Sequence, residues 1–399
     1  MEHRRDFLLG IVVLAVLTLA AAPSTTIAAA SNLLVLVDTG GNRVLLLKPP
    51  YRTASVVLGQ INFTNVLGGA SQNVTGGQPV GAAMDSQGAI WVADQNNNRV
   101  LRFSPPFKNG ENADFVIGQS DFTSKTPALS ATGLNVPTYL TFDSAGDLWV
   151  SDRDNCRVLE YTPPFPKNGV GKAAALVIGQ PNFTTTSPYC TSEIAPECSP
   201  SQTQTCQTEG ITFDPLGNLW VADRGANRVL EFPSPLSTGE AAFTVIGQNN
   251  YTSGIPDAGT WVVNQHGLNF PNGIAFLGQN LWVADTQNNR TLEFVPIPGM
   301  NGVDATVVLG QPDFMTDTSA LTRNGENTPY AIAADAKGNL WVADHTNCRG
   351  LQYKPYHGLF TSNQKASMVT GEPNFTTAAC ATARSRVAYP QGISIGGNP

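Results

Sequence analysis

Six pairs of an acid and a base recur along the chain at one spacing: Asp38/Arg43, Asp94/Arg99, Asp152/Arg157, Asp223/Arg228, Asp285/Arg290 and Asp344/Arg349. An aspartate and an arginine so placed can work as an acid–base couple on a ligand, or can simply pair with one another. Repetition favours the second reading, because a reacting site is asymmetric and is needed once. Each Asp is expected to end a strand and to accept backbone N–H groups of the following turn, as Asp does in tight turns. Each Arg is expected to pair with that carboxylate or with one in the next unit. The remaining chemistry is sparse. The sequence holds four His and six Cys, and no Ser or Cys stands beside a His at the spacing of an activated nucleophile.

Every pair sits inside a longer phrase. Ahead of the Asp stands Trp91, Trp149, Trp220, Trp282 or Trp341, with Leu36 in the first copy. Further upstream is an apolar run such as Gly210-Ile211-Thr212-Phe213-Asp214. Downstream comes a run such as Arg99-Val100-Leu101-Arg102-Phe103, then a loop, then a short run closing on Gly118-Gln119 or its equivalent, which drifts to Gly371-Glu372 in the last copy. These runs are short, β-branched or aromatic, and bounded by Gly, Pro, Asn and Asp, so they read as strands. No window beyond residue 30 holds a helical period. Four strands, here a to d, make one unit, and a unit returning every ~55–70 residues marks a radial array. Six units predict an all-β, six-bladed β-propeller of four-stranded antiparallel blades spanning residues 31–399. The repeats open on a strand b, Leu33 to Val37, and end on an orphan strand a, Tyr389 to Ile395. Joining the two completes the sixth blade and leaves no open edge. The Trp residues are expected to pack between blades.

The phrases Pro-x-Gly-Ile-x-Phe-Asp, Gly-Asn-Leu-Trp-Val-Ala-Asp and Asn-Arg-Val-Leu-Glu-Phe resemble the NHL repeat family of β-propellers, and the resemblance covers essentially the whole chain after its leader. It implies a ligand-binding or protein-binding module. Related six-bladed propellers include lactonases, an amidating lyase and strictosidine-synthase-like enzymes, so fold alone does not choose a function. The lyases hold zinc with several His. Here His3 lies in the leader, His266 and His345 reach one face and His357 the other, which falls short of three ligands.

Individuality is therefore sought where the copies differ. Strands a line the central channel, and the residue after the Pro that precedes each one (Thr208 in the fourth unit) lies near the channel top. Around the ring this position reads Val80, Thr138, Glu209, Asn272, Tyr330 and Gln391. With His266 on a neighbouring loop, Thr138, Glu209, Asn272, Tyr330 and Gln391 are the candidate ligand-binding residues. Glu209 and Asn272, in consecutive blades, offer the oxygen ligands that suit Ca²⁺, and the lactonase-type relatives imply a metal at such a place; a hydrated polar mouth is the plainer reading. The d–a loops, such as 60–78 and 248–271, are long and rich in Ser, Thr, Asn and Gly. Long loops over a rigid ring are a usual place for binding. Two functions follow as expectations. One is a binding module that takes a polar small molecule, a carbohydrate or a protein on the long-loop face. The other is a divalent-metal-dependent, gluconolactonase-like hydrolase at the channel top.

Residues 1–30 carry Arg4-Arg5, an apolar run from Phe7 to Ala22 and the small residues Ala28-Ala29-Ala30, the pattern of a secretory signal of Sec or twin-arginine type. The mature chain is expected to be a secreted, periplasmic or cell-surface monomer without a membrane span. Cys156 and Cys348 take the same place in two b–c turns, and Cys190 and Cys380 follow strand d of those blades. The b–c and d–a loops of a propeller share a face, which pairs Cys156 with Cys190 and Cys348 with Cys380 and leaves Cys198 for Cys206. Net charge is −7, with no basic run, so a nucleic-acid partner is not expected.

Overall fold

In a computed structural model the described residues are 32–187, Cys190 and 199–396. The leader expected at residues 1–30 and Cys198 lie outside them. The described residues form six four-stranded antiparallel sheets and one additional two-stranded hairpin. Blade three shows the pattern: strand a is Pro137–Phe142, b Leu148–Asp152, c Arg157–Tyr161 and d Leu176–Ile178. Blade one closes the ring, with Pro390–Ile395 paired to Leu34–Asp38, followed by Arg43–Leu47 and Ala54–Leu58. The architecture is the expected one, an all-β six-bladed propeller.

The Trp residues hold neighbouring blades together. Trp91, Trp149 and Trp220 are buried and meet Phe142, Phe213 and Phe276 of the next blade edge-on, at centroid distances of 6.0, 5.6 and 5.6 Å. Each also donates its indole N–H to the Asp of its own a–b turn, Asp85, Asp143 and Asp214. The same carboxylates accept the turn's backbone N–H groups. One acid thus closes the turn and satisfies the buried indole.

The Asp–Arg pairs are wholly buried, 0% exposed on both sides, with Nε to Oδ2 distances of 2.6–2.8 Å. Each Arg pairs within its own blade. A backbone donor to each Asp comes from the loop entering strand a, as with Asn269 N to Asp285 Oδ1 at 2.7 Å; at Asp38 the expected b–c turn donor, Gly41 N–H, contributes as well. The rest of the guanidinium is used as well. Arg290 donates to Phe314 O in the loop leaving its blade and to Asn264 O and Gly267 O in the loop entering it. The repeated pair is therefore a staple between two long loops and a blade.

Asn42, Asn98, Asn227 and Asn289 end the b–c turns in the left-handed region, with φ near 50°. Such backbone is tolerated best by Gly and Asn. Their side chains accept N–H groups from the next d–a loop, as with Asn227 Oδ1 and Phe270 N at 2.8 Å. Cys156 and Cys348 stand at this same position with the same φ, bonded to Cys190 and Cys380. In two blades a covalent link to the d–a loop thus replaces the amide link. Structural disulfides of this kind belong to oxidising compartments. No helix among the described residues is long and apolar enough to cross a membrane.

The long loops are more ordered than their composition implied. Each runs outward and pairs with the residue ahead of a strand d, as in Ala305 N to Gln265 O and Ala174 N to Ala131 O. The first loop folds into a hairpin, Gly69–Ser71 against Val74–Gly76. The conserved-looking Gln of each Gly-Gln also works on the backbone: Gln248 Nε2 donates to Asn227 O and Ile255 O.

Candidate functional site

Every strand a shifts register against strand b at one place, between its proline-side end and its apolar half. Val80, Thr138, Glu209, Asn272, Tyr330 and Gln391 sit in these bulges. A bulge leaves a residue unpaired and re-aims its side chain. The first residue of each b–c turn completes the channel top, and in four blades it is Arg153, Arg224, Thr286 or His345.

Blades three and four supply the charge. Glu209 is 2% exposed; its Oε1 lies 3.6 Å from Arg153 Nη1, and its Oε2 has no hydrogen-bond partner among the described residues. Burial pushes its carboxyl upward, against the pull of Arg153 and Arg224. Arg153 also bonds Asp154, at 2.9 Å. Arg224 donates to Gln207 Oε1 at 2.8 Å and lies over the Phe270 ring at 4.6 Å. Asn272 in blade five is 1% exposed; its amide donates to Thr286 Oγ1 at 2.7 Å, and its Oδ1 is left unpaired. Thr138 is buried beside Glu209, its Oγ1 3.4 Å from Thr208 O.

Across the channel, blades six and one supply an aromatic wall. The His345 ring lies 4.6 Å from that of Tyr330 and 5.5 Å from that of Tyr389. Burial pushes the His345 pKa down, and its Nδ1 faces Pro390 O at 3.3 Å. Tyr330 and Gln391 are half-buried in this wall. His266 lies elsewhere. Its loop reaches the outer edge of blade five, where Nδ1 is 3.3 Å from Asp304 Oδ1 and Gln265 pairs with Ala305.

Tyr139, which sequence reasoning passed over, forms the floor. Five of the six equivalent positions are small, namely Gly81, Gly210, Gly273, Ala331 and Gly392. Added Cβ atoms at the four glycines would lie 2.1–2.5 Å from carbonyl oxygens of the next strand. From blade three, Tyr139 spans the channel, and its hydroxyl lies 2.9 Å from Tyr330 O and 3.1 Å from Gln391 O. The signal was present in the sequence as a Tyr in a column of Gly and Ala. Tyr139→Phe should cost about 1–2 kcal/mol, read as a lower denaturation midpoint in urea with an unchanged slope; an unchanged midpoint would mean that the hydroxyl bridge contributes nothing.

The fit of a divalent cation can be judged from these groups. The unpaired oxygens of Glu209 and Asn272 would suit one. However, the Glu209 carboxylate already faces one guanidinium and lies in the field of a second. The one group of three acids close enough to hold an ion among the described residues is Asp143, Asp147 and Glu160, at the opposite end of the blades. The channel top therefore fits a divalent ion poorly, and no chemical step is derived through one.

The sequence model of the NHL repeat matches residues 77–103, which span strands a to c of blade two. No curated protein sequence matches the chain. Among solved structures, a chain of the nidogen/laminin complex is similar with a TM-score of 0.51 and 14% identity, over 92% of this chain and 98% of that one. A protein of unknown function from Bacteroides caccae gives 0.50 and 10%, over 92% and 100%. Virginiamycin B lyase from Staphylococcus aureus gives 0.39 and 16%, over 71% and 83%. At such identities the likeness is one of fold.

Proposed function

We propose that the protein is an exported propeller that acts as a binding module, with its site at the channel top on the long-loop face. The observation that carries this reading is the division of an otherwise repeated rim. Arg153 and Arg224 stand over a buried Glu209 on one side, and Tyr330, His345 and Tyr389 form an aromatic wall diametrically opposite. Guanidinium forks recognise carboxylates and hydroxyls, while aromatic rings offer apolar faces with polar edges. A carbohydrate bearing a carboxylate has both features, and the unpaired oxygens of Glu209 and Asn272 are acceptors for hydroxyl donors.

The hydrolase reading is the second. It rests on those same two unpaired oxygens as metal ligands and is opposed by the two arginines. The readings separate in a melting experiment. The binding reading expects trigalacturonate to raise the melting temperature more than maltotriose does, and expects no change with chelator or millimolar calcium. Stabilisation by calcium without any effect of trigalacturonate would overturn it in favour of the hydrolase.

A further inference from the structure

Tyr139 spans the channel in its upper half and leaves a vestibule of about 1190 Å³ below, opening among the a–b turns. Its roof is the Tyr139 ring. Its walls include Leu140, Ile211, Ile274 and Ile332, with the small hydroxyls of Thr141, Thr212 and Ser394 between them. The Ser394 Oγ has no hydrogen-bond partner among the described residues. At the mouth stand Asp85, Asp143, Asp214 and Glu160. Among the described residues no Lys, Arg or His lines the vestibule, and none of their ion pairs involves these four acids. None of the channel-top residues Thr138, Glu209, Asn272, Tyr330 or Gln391 lines it, so this cavity is separate from the site proposed above.

We infer that this vestibule is a second binding site, for an organic cation with an apolar body, such as an alkylammonium. A concave cavity with mixed lining, slightly above the size range of small-molecule sites, favours burial of apolar surface with a few polar contacts. The charge asymmetry selects the sign of the ligand. Carboxylates without cationic partners at the mouth hold a negative potential that attracts a cation and repels an anion. Phe142 and Phe213 at the same end add ring faces over which an ammonium is favourably placed. The apolar tail would lie along the aliphatic walls toward Tyr139 while the ammonium stays among the acids.

The test is calorimetric titration of the full mature chain with n-octylammonium chloride, alongside octanol and octanoate. Saturable binding of the cation is expected, with octanoate at least about tenfold weaker. Thr212→Trp, which fills the vestibule, should weaken octylammonium binding by about tenfold or more. Glu160→Gln, at the half-buried rim, should weaken the cation and leave octanol unchanged. Far-UV circular dichroism and melting curves establish that both variants fold, and the Glu160→Gln result stands if Thr212→Trp does not fold. Absence of saturable octylammonium binding, equal affinity for octanoate, or no effect of a folded variant would overturn the inference.

Discussion

Replacing Arg290 by alanine should lower stability by about 3–5 kcal/mol, the range seen when one partner of a buried ion pair is removed. The loss is large because four interactions vanish at once. Asp285 loses its 2.7 Å partner while 0% exposed, and the carbonyls of Phe314, Asn264 and Gly267 lose their donor. Arg290→Lys should recover little, since a single ammonium cannot reach Oδ2 and three carbonyls in two loops. By contrast, Arg52→Ala, at an exposed loop position, should change stability by less than about 0.5 kcal/mol. Urea unfolding of the three variants checks this. Equal effects of Arg290→Ala and Arg52→Ala would show that the staple is not what holds the loops to the blades.

Glu326→Gln should stabilise the protein, and only above acidic pH. Glu326 enters blade six where the other copies place Thr75, Leu134, Thr205, Leu268 or Val387 against the glycine ending the preceding strand d. It is 0% exposed, with Tyr353 OH and Thr291 Oγ1 each 2.9 Å from its oxygens. Burial, reinforced by Asp344, pushes its pKa up to about 8 from an ordinary value of 4.5. The folded state therefore binds a proton that the unfolded state releases. Below pH 4.5 this group has no net effect, and between pH 4.5 and 8 its cost to folding grows, to on the order of 3 kcal/mol at neutral pH. Glutamine carries no such cost. The stability difference between variant and wild type should thus be small at pH 4, rise toward pH 8 and then flatten. A difference independent of pH would contradict this account of the buried acid.

Most of the fold was legible because its determinants repeat. A Trp, an Asp and an Arg at fixed offsets in successive strands count the blades, and the missing strand at one end matches the spare strand at the other. Two of the three expected disulfides were legible for the same reason: Cys156 and Cys348 share one place in the b–c turns, Cys190 and Cys380 share one after strand d, and the two kinds of loop lie on one face. The loops were read less well, because their order comes from backbone groups that composition does not display. The phrase at Asn62, Asn182, Asn250 and Asn374 is an example. It looks like a glycosylation signal, yet its side-chain oxygen caps a turn, and Asp121 and Asp313 serve equally in other copies. At the channel top the ring of six residues was found from the sequence. Its surroundings were not, because Arg153, Arg224 and His345 come from b–c turns whose proximity to strand a appears only once the ring closes. Tyr139 was missed for a related reason. Its size matters only because five other strands approach the axis closely enough to leave room for one ring.

The central claim is that the six-fold residues are scaffold and that binding belongs to the asymmetric channel top. It is tested most directly by calorimetric titration of trigalacturonate into the wild type and into the double variant Arg153→Ala, Arg224→Ala. The account predicts saturable binding by the wild type and a loss of about tenfold or more in the double variant, with the six staples intact and the fold retained by circular dichroism. Undiminished binding by the double variant, or no binding by the wild type, would contradict it.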